Sequence, residues 1–413
     1  MAPDKKTAEF HFYKGNIDVL ESLEDKSVDS MISYVKKEIL QIFDVKNLSF
    51  LLGSGCSSFE DPKAKKEIGV PTMKPLAALL YASLDSKDKE ILRDVIKIDV
   101  SLAPYNDNLE NFLQVLFSFN FVFEAQKDQA QKIKVEDLIN KTKKFILEYC
   151  INEKNAKRLE VIDLYKLFYK KLVYRNINLS KVNIFTTNYD LYSEKALDQL
   201  SILYSNGFSG NIERFFNPAT FNYAYAEQME LSANKWSVID NFVYLYKLHG
   251  SVNWVETEAT GKMFSIQELQ KPDPQMPASM IYPTPMKQAS SFGSPYSDLF
   301  REFQKKLMQE KNILVTVGYS FSDEHVNNLI YQALTIPTFR VVVFQNPNLP
   351  SVKKLIELND PRIWVIGGQI VSGKDIEKIH YFKYVVNDLL PDIRQEKIEQ
   401  SIENVIKALI DKK

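Results

Sequence analysis

Cysteine is almost missing. The 413 residues include two, Cys56 and Cys150, and neither sits in a paired C-x-x-C arrangement. A structural zinc held by four thiolates is therefore impossible in this chain, and a disulfide is not expected in a reducing compartment. Charge of one sign is missing too. With 52 basic and 53 acidic residues the formal net charge is −1, and neither a basic stripe nor a long acidic tail appears. The short clusters Lys63–Lys66 and Lys141–Lys144 read as solvated helix faces, and nucleic acid is not expected as a direct ligand. No apolar run approaches the ~20 residues needed to span a bilayer, and the first residues, MAPDKKTAEF, lack the apolar core of a secretion signal. The expectation is a cytoplasmic protein without membrane association.

What is present is ample apolar material, 45% of the residues, enough for a large core in two lobes or in one domain with insertions. Leu20–Phe43 has helical spacing, and 1–44 is expected to be an N-terminal helical segment. A principal α/β domain is expected over 45–350. It is interrupted at about 73–178, where strand signals give way to helical ones. Asp107-x-x-Glu110 there resembles a capping box ahead of the apolar face Leu109, Phe112, Leu113, Leu116 and Phe117. Ser201–Asp240 shows little period and Lys271–Pro285 reads as a stiff, proline-rich loop. The remainder, 351–413, is expected to hold a last strand and closing helices, with one apolar stripe along Gln395–Ile410.

Several apolar runs end abruptly in small or polar residues, which is how a buried parallel strand delivers side chains to its carboxyl edge. Val182–Asp190 is the clearest, ending in Thr187, Asn188 and Asp190; the last also suits the cap of a following helix, Leu191–Leu200. Asn47–Leu52 runs into Gly53-Ser54-Gly55-Cys56-Ser57-Ser58, a turn whose glycines, amides and hydroxyls suit a phosphate. Ser58 stands where a third glycine would complete the dinucleotide fingerprint. Phe242–Leu248 ends at His249-Gly250-Ser251, Asn312–Val317 at Gly318-Tyr319-Ser320, and Arg340–Phe344 at Gln345-Asn346. Strands separated by helical stretches predict a doubly wound parallel sheet. On one carboxyl edge, Gly53, Ser54, Gly55, Ser57, Thr187, Asn188, Asp190, His249, Gly318, Ser320, Gln345 and Asn346 would outline a slot long enough for a dinucleotide. Cys56 reads as a packing residue, and His325 as a surface residue of the helix after Gly318.

Taken in order, Gly53-Ser54-Gly55-x-Ser57, Thr187-Asn188-x-Asp190, Leu248-His249-Gly250-Ser251 and Gly318-Tyr319-Ser320 resemble the motifs of the sirtuin family over roughly residues 45–350. The likeness is closer to the bacterial sirtuin-like NAD-degrading effectors of anti-phage defence, whose late motif is similar to GYSFSDEHVN here. The resemblance implies a sirtuin-like Rossmann fold. It makes Asn188 and His249 the catalytic pair, and has Gly53, Ser54, Gly55, Asp190, Gly318 and Ser320 help hold NAD+ while nicotinamide departs and ADP-ribose forms. Deacetylating sirtuins carry a four-cysteine zinc lobe that two cysteines cannot build, so hydrolysis without a metal is expected. The resemblance also implies a homo-oligomer and a HerA-like ATPase partner. Two other classes stay open: a sensor that binds NAD or ADP-ribose without turnover, and an NAD-dependent deacylase or ADP-ribosyltransferase.

Overall fold

Runs such as NLSFLL and NILVTV, β-branched or aromatic with scarcely a charge, are stable only as strands covered on both faces. The computed structural model describes residues 7–61, 66–151, 158–173, 175–176, 178–229, 235–257, 266–273, 276, 278–280, 294–373 and 375–392. Within them the principal strands are β1 (Thr7–Lys14), β2 (Asn47–Leu52), β3 (Asn183–Thr186), β4 (Leu203–Ser205), β5 (Phe242–Lys247), β6 (Asn312–Val317), β7 (Arg340–Phe344) and β8 (Ile363–Ser372). They line up as β1-β8-β7-β6-β2-β3-β5-β4. From β8 to β4 every neighbouring pair is parallel, while β1 runs antiparallel to β8. The chain leaves β2 toward β3 and β5, then returns to β6 and proceeds the other way to β7 and β8. Winding thus reverses between β2 and β6, the place where open α/β sheets form their ligand crevice.

Alternation along each strand feeds two cores. On one face Leu48, Phe50 and Leu52 of β2 pack with Ile184, Val243 and Val315 under α1 (Val28–Ile42) and under Tyr165 and Phe168 of the long helix Arg158–Val173. On the other, Leu51, Phe185, Leu314 and Val343 pack beneath Leu299 and Phe303 of Tyr296–Leu307 and Val326 and Ile330 of Glu324–Ala333. Each fully buried Leu, Val or Phe is worth about 1.5–3 kcal/mol, so these layers hold the sheet edge rigid. A third core joins the helices Met73–Ser83, Leu109–Gln126 and Gln129–Ile151 through Leu80, Phe112, Leu116 and Leu138, and it also takes in Val252 and Met280.

The structure departs from the sequence expectations in three places. The N-terminal segment is not helical throughout: TAEFHFYK alternates, buries Phe10 and Phe12, and forms β1 before α1 begins at its Ser27 cap. Arg158–Val173, grouped by its helical character with the segment 73–178, packs on the sheet and not with the third core. Ser201–Asp240, as its weak period allows, holds short strands, β4 and four others. Finally, β8 runs on to Ser372 and pairs with Asp375–Lys378. The apolar stripe of Gln395–Ile410 lies outside the described residues, as does most of the proline-rich loop. Among the described residues no helix is long and apolar enough to cross a membrane.

Candidate active site at the carboxyl edge of the sheet

Strand register decides which segments meet. Leu52 pairs with Thr186 and with Val317, Thr186 pairs with Lys247, and Val317 pairs with Phe344. The next residues, Gly53, Thr187, Leu248, Gly318 and Gln345, therefore leave the sheet at one height. All five polar segments lie along a single edge, with Gly53 and Gly318 flanking the point where the winding reverses.

At that point the two glycine turns are packed directly on one another. The Gly55 amide donates to the Gly318 carbonyl at 3.0 Å. A Cβ on Gly53 would stand 2.4 Å from the Gly318 oxygen. Gly318 has φ +63°, and a Cβ there would stand 2.6 Å from the Cys56 nitrogen. Glycine is thus demanded at both positions by the approach of one loop to the other. Cys56 is a buried packing residue whose thiol donates to Val317 O at 3.1 Å, and burial raises its pKa well above that of a free thiol.

Asn188, on the turn after β3, reaches across to this loop. Its Nδ2 donates to Gly53 O at 2.9 Å and to Ser57 Oγ at 2.8 Å, and its backbone amide donates to Thr186 Oγ1 at 3.0 Å. Ser57 Oγ donates in turn to Asp190 Oδ2 at 2.6 Å and lies 3.3 Å from the Tyr165 hydroxyl. The hydroxyl hydrogen is spent on the carboxylate, so Ser57 can only accept from Asn188, and the Gly53 carbonyl can only accept as well. This fixes the carboxamide's orientation. Both amide hydrogens are used, and Oδ1 accepts no hydrogen bond among the described residues. Asp190 also accepts from the Tyr192 amide at 3.1 Å, at the start of the helix Tyr192–Gln199.

His249 lies between β5 and the strand Gly250–Glu256, which carries the chain into a separate five-stranded sheet. Its ring is buried, with Nε2 3.1 Å from Asp323 Oδ2. Asp323 is the N-cap of Glu324–Ala333, its Oδ1 accepting from the amides of His325 at 3.0 Å and Val326 at 3.2 Å. His325 is half-buried against Phe300, with ring centroids 4.4 Å apart. Burial lowers its pKa, the nearby Asp323 opposes that, and His249 adds to it.

The remaining expected site residues occupy the edge without joining these contacts. Ser54 is exposed and Thr187 half-buried, the latter's amide donating to Leu52 O at 3.2 Å. Ser320 Oγ pairs with Ser322 Oγ at 2.9 Å. Gln345 Nε2 donates to Tyr319 O at 3.2 Å, tying the β7 turn to the β6 turn, whereas Asn346 Oδ1 accepts from the Asn348 amide at 3.0 Å.

Sequence reasoning missed Lys247. This lysine, 1% exposed at the end of β5, sits 3.0 Å from Glu194 Oε1 and donates to the Tyr189 and Asp190 carbonyls and to Ser251 Oγ. Burial raises the Glu194 pKa, and Lys247 works against that rise. A charge at the end of an otherwise apolar buried strand was the available signal, because such a charge needs a partner. Tyr165, more than a hundred residues from the serine it meets, left no local signal.

Among the described residues no group of three His, Cys, Asp or Glu could hold a metal. No curated protein matches the chain. Residues 182–348 match the family model of the SIR2-like domain, a stretch that runs from the start of β3 past the end of β7 and includes Asn188, His249, Gly318 and Gln345. That match supports a sirtuin-like fold, with a mostly parallel Rossmann-like sheet, and an activity concerned with NAD+.

Proposed function

We propose that the chain is an NAD+ glycohydrolase that cleaves the bond between nicotinamide and ribose to give nicotinamide and ADP-ribose. The observation that carries this reading is the shared edge of β3 and β5. Asn188 and His249 each stand two residues beyond the paired Thr186 and Lys247, and each keeps one polar atom uncommitted among the described residues, Asn188 Oδ1 and His249 Nδ1. Departure of nicotinamide turns a cationic ring into a neutral molecule, so no strong general acid is required. The transition state is oxocarbenium-like, and the site mainly has to position and stabilise it. Asn188 Oδ1, an acceptor held rigidly by the two bonds of its amide, orients a ribose hydroxyl or the attacking water. His249 takes the proton that water gives up. The edge turns from Gly53 to Ser57 and from Gly318 to Ser320, with Thr187, Asp190, Gln345 and Asn346, hold the dinucleotide. No step as drawn calls for a metal.

In this reading NAD+ is a substrate to be exhausted. The protein acts in the cytoplasm as a homo-oligomer in anti-phage defence, restrained until triggered, with a HerA-like ATPase as its partner. The assay uses NAD+ alone: nicotinamide and ADP-ribose appearing in equal amounts, without any acylated peptide, support hydrolysis. Release that depends on an acylated peptide points instead to a deacylase. Tight binding of NAD+ or ADP-ribose without turnover, in the isolated chain and in its assembled form, overturns the reading in favour of a sensor. The sensor has one observation in its favour, because both amide hydrogens of Asn188 are spent inside the protein.

A further inference from the structure

We propose that Asp323 is a positioning residue that fixes His249 in the tautomer carrying its hydrogen on Nε2, leaving Nδ1 as the atom that accepts the proton. The inference rests on the reading of NAD+ cleavage for its kinetic consequence, while the tautomer is argued from the 3.1 Å approach of the two groups, an ion-pair distance. Two of the contacts of the Asp323 carboxylate lie among the described residues beside this site. Oδ1 is taken by the first amides of Glu324–Ala333, those of His325 and Val326. Oδ2 is left facing His249 Nε2 at 3.1 Å. A helix amino terminus favours an ionised carboxylate, and two amide donors hold this one in place. An ionised carboxylate has no hydrogen to offer, and its charge favours a hydrogen on the ring nitrogen nearest to it, so the tautomer carrying Nε2–H is the one this approach stabilises. The other nitrogen, Nδ1, has no hydrogen-bond partner among the described residues, and its lone pair is then free.

The step balances without any further reactant. Water attacks the ribose carbon, the bond to nicotinamide breaks with its electron pair going to the departing ring, and the lone pair on Nδ1 takes one proton from the water. His249 becomes an imidazolium facing the Asp323 carboxylate through Nε2–H, and later returns the proton to solvent. Among the described residues, titratable side chains beside this pair include His325, whose pKa burial lowers, and Tyr319, whose hydroxyl donates to the Asp323 carbonyl at 3.3 Å.

Substitution can separate the two contacts. In Asp323→Asn the side-chain oxygen still caps the helix, so the amide –NH2 is what faces His249. A donor there requires Nε2 to accept, and the hydrogen moves to Nδ1. Asp323→Ser keeps a capping oxygen but removes the partner of the imidazole altogether. Asn and Ser both cap well, so both variants are expected to melt close to the parent. The readouts are the histidine ring 15N resonances of the full-length protein, assigned by substituting each of the four histidines, and steady-state NAD+ cleavage. The expected result is an Nε2–H tautomer in the parent, an Nδ1–H tautomer in Asp323→Asn, and a mixture in Asp323→Ser. For Asp323→Asn, kcat falls by about 10³–10⁴-fold, the scale seen when a triad aspartate is made an amide, with KM little changed. An Nε2–H tautomer persisting in Asp323→Asn, or a kcat within about threefold of the parent, overturns the proposal. If the parent releases no nicotinamide, it is the functional reading that fails, and the resonances still decide the role of Asp323.

Discussion

The two halves of the candidate site are built to different degrees of redundancy. Asn188 is tied down by three hydrogen bonds, to the end of β3, to Gly53 and to Ser57, and Ser57 is in turn shared with Asp190 and Tyr165. His249 is held by the fold of its strand and by one carboxylate at 3.1 Å. In the first half, chemistry and stability use the same bonds. In the second they are separable, so the same experiment gives different answers on the two sides.

The sharpest way to break this contrast is Lys247, which sits on the strand of His249 but holds the segment of Asn188 through the Tyr189 and Asp190 carbonyls. Lys247→Met leaves Glu194 charged and buried without its partner. Loss of one member of such a pair costs about 3–5 kcal/mol, the largest effect expected for any substitution at this edge. Urea denaturation reads it as a lower midpoint. Adding Glu194→Leu is expected to restore most of the loss, since the uncompensated charge is then gone. If Lys247→Met alone unfolds at the parent midpoint, the pair is not holding the Asn188 turn.

Next in size is the direct comparison of the two halves. Asn188→Ala is expected to abolish turnover and also to lower stability by about 1–3 kcal/mol, because the Ser57 hydroxyl and the Gly53 carbonyl each lose a buried partner. His249→Gln keeps a donor for Asp323 and is expected to lose turnover by about 10²–10⁴-fold while unfolding within ~1 kcal/mol of the parent. Equal stability losses in the two variants, measured by calorimetry, would remove the distinction between a tangled and a separable half.

The outline of this edge was legible because a buried parallel strand has to end somewhere polar. VNIF before TTNYD, NILV before TVGYS and NLSF before LLGSG each state the transition in one stretch of chain. β1 was legible too, since TAEFHFYK alternates at period two, but the helical spacing of the following residues drew the segment into one element. What local pattern could not carry was convergence. Nothing in GSGCSS says that its glycines are required by another loop about 260 residues later, nor that its second serine will join an asparagine and an aspartate of one other segment and a tyrosine of a second. The stretch Ser322-Asp323 suits a helix cap in the sequence, but the approach of Asp323 Oδ2 to His249 arises only because the strands before them, β6 and β5, end on one edge of the sheet. The roles assigned from the motifs rest on that same convergence, and substitutions test them better than further pattern reading.

Tyr165 gives the smallest and most discriminating case. Its hydroxyl is buried 3.3 Å from Ser57 Oγ, and burial raises the phenol pKa well above its ordinary value; because the Ser57 hydrogen goes to Asp190, the phenol is the donor of this pair. Ser57 has one hydrogen, spent on Asp190, and two lone pairs, one taken by Asn188 and one facing Tyr165. Tyr165→Phe therefore empties one lone pair and leaves every bond of Asn188 in place; a cost of at most about 1 kcal/mol and turnover within about threefold are expected. Ser57→Ala instead strands an amide hydrogen of Asn188 and an oxygen of Asp190 together, and should cost about 1–3 kcal/mol with a larger fall in turnover. Should Tyr165→Phe prove as damaging as Ser57→Ala in both measurements, the phenol would be the group that holds Asn188. The helix Arg158–Val173 would then count as part of the site, although it lies outside the stretch that matches the SIR2-like domain.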